Sequence, residues 1–260
     1  MEFRPCIDIH NGQVKQIVGG SLMDEGNLAK ENFVSHYDSV FYARMYQKHK
    51  IRGGHVILLN AADSEYYEET KQQALAALRA YPGGLQVGGG IHVGNAEEFL
   101  EAGASHVIVT SYVFQNGVIR YDRLRELVER VGKQRLVLDL SCRRRQDAYY
   151  IVTDRWQKFT DVILTPDTLH ELADYCDEFL IHAVDVEGKG QGIEPELVRI
   201  LATCKERPVT YAGGVHDFAD LKLIKQLGED HVNVTIGSAL DLFGGQMEFE
   251  KVLACCNEKK

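Results

Sequence analysis

Eight short apolar runs, each followed by a longer amphipathic stretch, fill this 260-residue chain from end to end, and that alternation restricts its fold more than any other feature. The runs lie at 4–9, 55–59, 85–87, 106–109, 135–140, 179–184, 208–211 and 232–236. Several are nearly unbroken in Val, Ile and Leu, as expected of parallel strands covered on both faces. The stretches between them space apolar residues by three and four. In 68–81, for example, Ala74, Leu75 and Leu78 share one helix face. Similar helices are expected at 96–102, 121–131, 166–175, 196–204, 218–227 and 248–256, with a less regular one at 36–49. Strands alternating with helices imply βα units and a parallel sheet. Eight units fit a closed (β/α)₈ TIM barrel, typically about 250 residues long, better than an open sheet. One domain over 1–260 is therefore expected.

The chain also repeats itself once. The run Cys6-Ile7-Asp8-Ile9 resembles Leu138-Asp139-Leu140, with the aspartates 131 positions apart. Gly88-Gly89-Gly90-Ile91-His92 resembles Ala212-Gly213-Gly214-Val215-His216 at an offset of 124, and Val109-Thr110-Ser111 resembles Ile236-Gly237-Ser238 at 127. Three features in one order at nearly one spacing imply two fused half-barrels, about 1–131 and 132–260.

In such barrels the carboxyl ends of the strands build the active site. Asp8 and Asp139 end strands one and five, on opposite sides of an eight-membered ring. Paired carboxylates can divide acid and base work when their surroundings separate their pKa values. Each Gly-Gly pair follows a strand and precedes a helix, so its N–H groups can converge on phosphate oxygens. Gly89 and Gly90 with Thr110 and Ser111 form one candidate phosphate site, and Gly213 and Gly214 with Gly237 and Ser238 the other. The expected ligand is a small molecule carrying two phosphates. Arg143-Arg144-Arg145, after the fifth strand, reads either as a solvated loop or as a further phosphate contact.

The net charge of −9 disfavours nucleic acid and anionic membranes as partners. None of the six cysteines forms a C-x-x-C pair, which fits reduced thiols in a cytoplasmic protein. The first ten residues lack the apolar stretch of a signal peptide, and no run reaches the roughly 18 apolar residues of a membrane span. The histidines show no metal-ligand spacing, and His170-Glu171-Leu172-Ala173-Asp174 has Asp where a zincin helix needs its second His, so no metal is expected.

P-C-I-D-I-H-N-G, Q-V-G-G-G-I, V-L-D-L, D-V-E-G-K-G-Q-G, Y-A-G-G-V and T-I-G-S-A together resemble the ProFAR isomerase family of histidine biosynthesis, along the whole chain and closest to its eukaryotic branch. The resemblance implies conversion of N′-((5′-phosphoribosyl)formimino)-5-aminoimidazole-4-carboxamide ribonucleotide (ProFAR) to its ribulosyl isomer by an Amadori rearrangement. It implies Asp8 as general base and Asp139 as general acid, no cofactor, and a monomer with no obligate protein partner. Three positions depart from the bacterial pattern: His182-Ala183 replaces Thr-Asp, His92 replaces Arg, and Asn60 replaces an acid. His182 is a candidate for proton transfer or for polar support. The sister cyclase of imidazole glycerol phosphate synthase, which needs ammonia from a partner, shares the repeat, the aspartates and the phosphate sites. A barrel that binds phosphometabolites without turnover is the third reading.

Overall fold

A computed structural model describes residues 1–17, 21, 31–154 and 156–257. Eight parallel strands form the barrel: β1 (Cys6–His10), β2 (Gly54–Leu58), β3 (Leu85–Gly88), β4 (Val107–Val109), β5 (Leu136–Asp139), β6 (Glu178–His182), β7 (Val209–Ala212) and β8 (Val232–Thr235). They pair in chain order, and the ring closes where Val234 accepts from Arg4 N at 2.9 Å and donates to Glu2 O at 3.0 Å.

Helices α1 (Ser39–Lys48), α2 (Tyr67–Ala80), α3 (Ala96–Glu101), α4 (Tyr121–Val131), α5 (Pro166–Leu172), α6 (Pro195–Ala202), α7 (Phe218–Leu227) and α8 (Phe249–Asn257) follow the strands in turn. Polar side chains fix several of their starts. Asp217 accepts from the N–H groups of Ala219 and Asp220 before α7, and Thr165 caps α5 ahead of Pro166 at its first turn.

Alternation along each strand separates two cores. Outward residues such as Ile7, Ile9, Val87 and Ile181 pack under the helices. Inward residues fill the barrel in layers, which β6 makes plain. Glu178, at its start, accepts from Gln86 Nε2 at 2.8 Å and from Thr210 Oγ1 at 2.7 Å, and pairs with Arg4. One step up, Leu180 joins Ile57, Ile108 and Val137 in an apolar plug. At the carboxyl end, His182 opens onto the mouth.

Excursions of extra strands leave the barrel after strands one, four and five, the shortest being the hairpin of Phe114–Gln115 and Val118–Ile119 after β4. Strands Gln13–Ile17 and Glu31–Val34 extend the sheet beside β1, and Cys142–Arg145, Ala148–Thr153 and Lys158–Ile163 form a separate antiparallel sheet. The arginine cluster is therefore a strand and not a loop: Arg143 Nε pairs with Asp185 at 2.9 Å, and Arg143 and Arg145 lie over the Phe159 ring. Among the described residues no helix is long and apolar enough to cross a membrane.

The repeat survives in backbone conformation. Gly89 and Gly90 have φ of +100° and +70°, and Gly213 and Gly214 have +117° and +76°. Gly89 is confined, since a Cβ there would stand 2.1 Å from Leu58 O, whereas Gly90 has no atom within 4 Å of that position. Gly89→Ala should cost at least about 2 kcal/mol in urea unfolding, combining positive-φ strain with a backbone clash. Gly90→Ala should cost only about 1 kcal/mol, because strain acts alone. Equal losses would mean that the β2–β3 contact does not decide the difference.

Candidate active site

The cleft at the carboxyl end of the barrel is lined by Cys6, Asp8, Gln16, His55, His182 and Glu187, with Gly213, Gly214, Gly237 and Ser238 on its β7–β8 side. Of the residues expected from sequence, Asp8, His182 and the second glycine set converge here. Gly89, Gly90, Thr110 and Ser111 do not line this cleft. They lie at β3 and β4, four strands round the ring from β7 and β8. There Asn95 Nδ2 donates to Gly90 O at 3.1 Å, Asn95 Oδ1 accepts from His92 N at 2.8 Å, and Ser111 Oγ accepts from Asp154 N. Asn60 accepts from Asn11 N and from Thr70 Oγ1, both at 2.8 Å, and so holds the turn after β1.

Asp8 and Asp139 sit in opposite electrostatic surroundings. Burial pushes the Asp8 carboxyl up to about 7, His182 pulls it back, and the nearby Glu187 raises it further. Gln16 Nε2 donates to its Oδ2 at 3.3 Å. For Asp139, burial is outweighed by His182 and by Ser141, whose N–H donates at 2.8 Å and whose hydroxyl donates to the same oxygen at 2.5 Å. Its pKa therefore falls below the usual aspartate value.

His182 is the link between them. Its Nδ1 lies 3.8 Å from Asp139 Oδ1 and 3.1 Å from Ser141 Oγ, leaving Nε2 as the ring nitrogen available to a ligand. Burial opposes its charge, yet Asp139, Glu187 and Asp8 together raise its pKa. The rings of Trp156 and His55 flank it at 5.3 and 6.2 Å.

Glu187, Gln16, His55 and Cys6 were not singled out by the sequence reading. Glu187 stands in the Gly-rich segment after β6, where an acid looks like an ordinary turn residue. It is half-buried, desolvation raises its pKa, and its enclosed Oε2 has no hydrogen-bond partner. That oxygen lies 3.1 Å from where a Cβ of Gly213 would be. An acidic residue followed by glycine in the short segment after β6 was the available signal.

Fold and site together define a (β/α)₈-barrel enzyme with acid–base groups and glycine turns at the carboxyl ends of its strands. Residues 2–248 match the family described as "Histidine biosynthesis protein". The chain is 53% identical over 264 residues to the chloroplastic 1-(5-phosphoribosyl)-5-((5-phosphoribosylamino)methylideneamino)imidazole-4-carboxamide isomerase of Medicago truncatula, covering 100% of this chain and 83% of that protein. It is 45% identical over 247 residues to the isomerase of the same name from Neurospora crassa, covering 94% and 93% of the two chains. The Saccharomyces cerevisiae isomerase is 44% identical over 269 residues, covering 100% and 99%. The chain belongs to the histidine biosynthesis family, within its isomerase branch.

Proposed function

We propose that this protein isomerises ProFAR to its ribulosyl form by an Amadori rearrangement, alone and without a cofactor. The observation that carries the reading is the convergence of Asp8, His182 and Glu187 in one cleft beside Gly213, Gly214 and Gly237. The glycines of β7–β8 bind one phosphate and those of β3–β4 the other, so the reacting sugar is held over the barrel axis.

Glu187 donates a proton to the ring oxygen of the aminoaldose, and the ring opens to a protonated imine. Asp8 then removes the C2 proton, giving an enolamine; that proton returns to C1 while the C2 hydroxyl proton passes to the Glu187 carboxylate, which yields the aminoketose and restores both groups. The half-buried Glu187 suits the acid because desolvation favours its protonated form and its Oε2, enclosed without a partner, is free to carry that proton to the sugar. Asp139 suits it poorly, because its bonds favour the ionised form. Its role here is to orient His182 and stabilise the imidazolium, whose Nε2 faces the developing charge. This division of labour differs from the one implied by the family resemblance, which made Asp139 the acid.

The pH profile tests the base. Asp8 must be ionised while Glu187 is protonated, so kcat/KM should be bell-shaped in pH, with one limb near 7, where burial pushes the Asp8 carboxyl, and the other where Glu187, also raised by burial, loses its proton. A profile with no limb near pH 7 would mean that Asp8 is not the base in this environment. Glu187→Gln should lower kcat by about 10²–10⁴. Near-normal turnover in that variant, together with loss in Asp139→Asn, would return the acid role to Asp139.

A further inference from the structure

The reaction proposed above leaves Cys6 and His55 without a task, although both are buried and both line the cleft. They face each other across the β1–β2 register, and Asp8 lies two residues beyond Cys6 on the same inward face. The thiol sulfur, one Asp8 oxygen and one His55 nitrogen all lie within 4.8 Å of one another. We propose that Cys6, Asp8 and His55 form a binding site for a borderline-soft divalent cation, with Zn²⁺ as the expected ion.

The donor set decides the class of ion. One thiolate, one imidazole and one carboxylate suit Zn²⁺ or Co²⁺, whereas Mg²⁺ and Ca²⁺ take oxygen ligands. A tetrahedral ion with bonds of about 2.0–2.3 Å holds its ligand atoms roughly 3.3–3.7 Å apart, so atoms that lie within 4.8 Å close in by about 1.5 Å at most. Gln16 supplies a fourth group. Its Nε2 already reaches Cys6 Sγ at 3.5 Å and Asp8 Oδ2 at 3.3 Å, and the amide turned over presents Oε1 instead. On binding, the metal–sulfur bond replaces the S–H bond and the thiol proton leaves to solvent.

No linear spacing reveals this cluster, because His55 stands 49 positions after Cys6 and the barrel register alone unites them. With Asp8 as the base, as proposed above, an ion here occupies the carboxylate that would take the C2 proton, so Zn²⁺ inhibits turnover competitively with substrate.

The test is direct titration of the purified protein with Co²⁺, free of substrate and independent of activity. One equivalent should produce an intense near-ultraviolet thiolate-to-cobalt charge-transfer band, which Zn²⁺ abolishes by displacement and Mg²⁺ leaves unchanged. Cys6→Ser, checked for native circular dichroism, should lose the band. His55→Asn, which keeps the thiol, should retain it with affinity lowered at least about tenfold. Absence of the band in the wild type overturns the proposal. So does a band that persists in Cys6→Ser and disappears in Cys255→Ser, since the half-buried Cys255 would then be the ligand.

Discussion

Asp8→Asn should lower turnover by about 10²–10⁴ while substrate still binds, because the amide keeps the size of the carboxylate but cannot take the C2 proton. The same substitution should stabilise the fold at alkaline pH. Asp8 titrates at about 7 in the folded protein against 3.8 in an ordinary environment. Between those values the folded chain holds a proton that the unfolded chain has lost. Stability from this group is therefore greatest at low pH and falls as pH rises through that window. One pKa unit corresponds to about 1.4 kcal/mol, so above pH 7 the buried carboxylate costs on the order of 2–4 kcal/mol, which the amide does not incur. Urea titrations at pH 4 and pH 8 check this: the variant should match the wild type at the first and exceed it at the second. Equal stability at pH 8 would mean that the carboxyl is not strained by its burial.

Glu178→Ala should be the most damaging substitution away from the mouth, at about 3–5 kcal/mol in denaturant unfolding. Glu178 pairs with Arg4 and accepts from Gln86 and Thr210 inside the barrel, below the plug of Ile57, Ile108, Val137 and Leu180. Removing the carboxylate leaves the Arg4 guanidinium with only the exposed Glu2 carboxylate, 3.2 Å from its Nη2, as counter-charge, and Arg4 Nε already has no partner. Glu178→Gln fills the same space but keeps an acceptor oxygen for only one of the two bonds, from Gln86 or from Thr210, and should lose about half as much. A loss below about 1 kcal/mol in Glu178→Ala would show that water reaches Arg4 from the closed end of the barrel.

The barrel was legible because parallel strands buried on both faces must be apolar almost continuously. The runs around Ile7, Val137 and Val234 say so directly. The half-barrel repeat was legible because glycine at Gly89 and Gly213 answers the same backbone demand twice. The excursions were not. Gln13–Ile17 alternates Val14 with polar residues, and Cys142–Arg145 is a polar edge strand, held by partners distant in sequence such as Asp185. Of the cleft, repetition pointed to Asp8 and to Gly213, Gly214 and Gly237, while Asp139 stands behind His182 and Gly89 and Gly90 lie outside it. Glu187 and His55 have no repeated counterpart, and only the fold brings them to Asp8.

The most direct measurement is an assay of the purified chain with ProFAR as sole substrate, with products separated by chromatography. Complete conversion to the ribulosyl isomer at unchanged mass, without ammonia or a second protein, is the expected result. Unchanged ProFAR, with cleavage appearing only once the ribulosyl compound and ammonia are supplied, would contradict the isomerase and identify the cyclase instead.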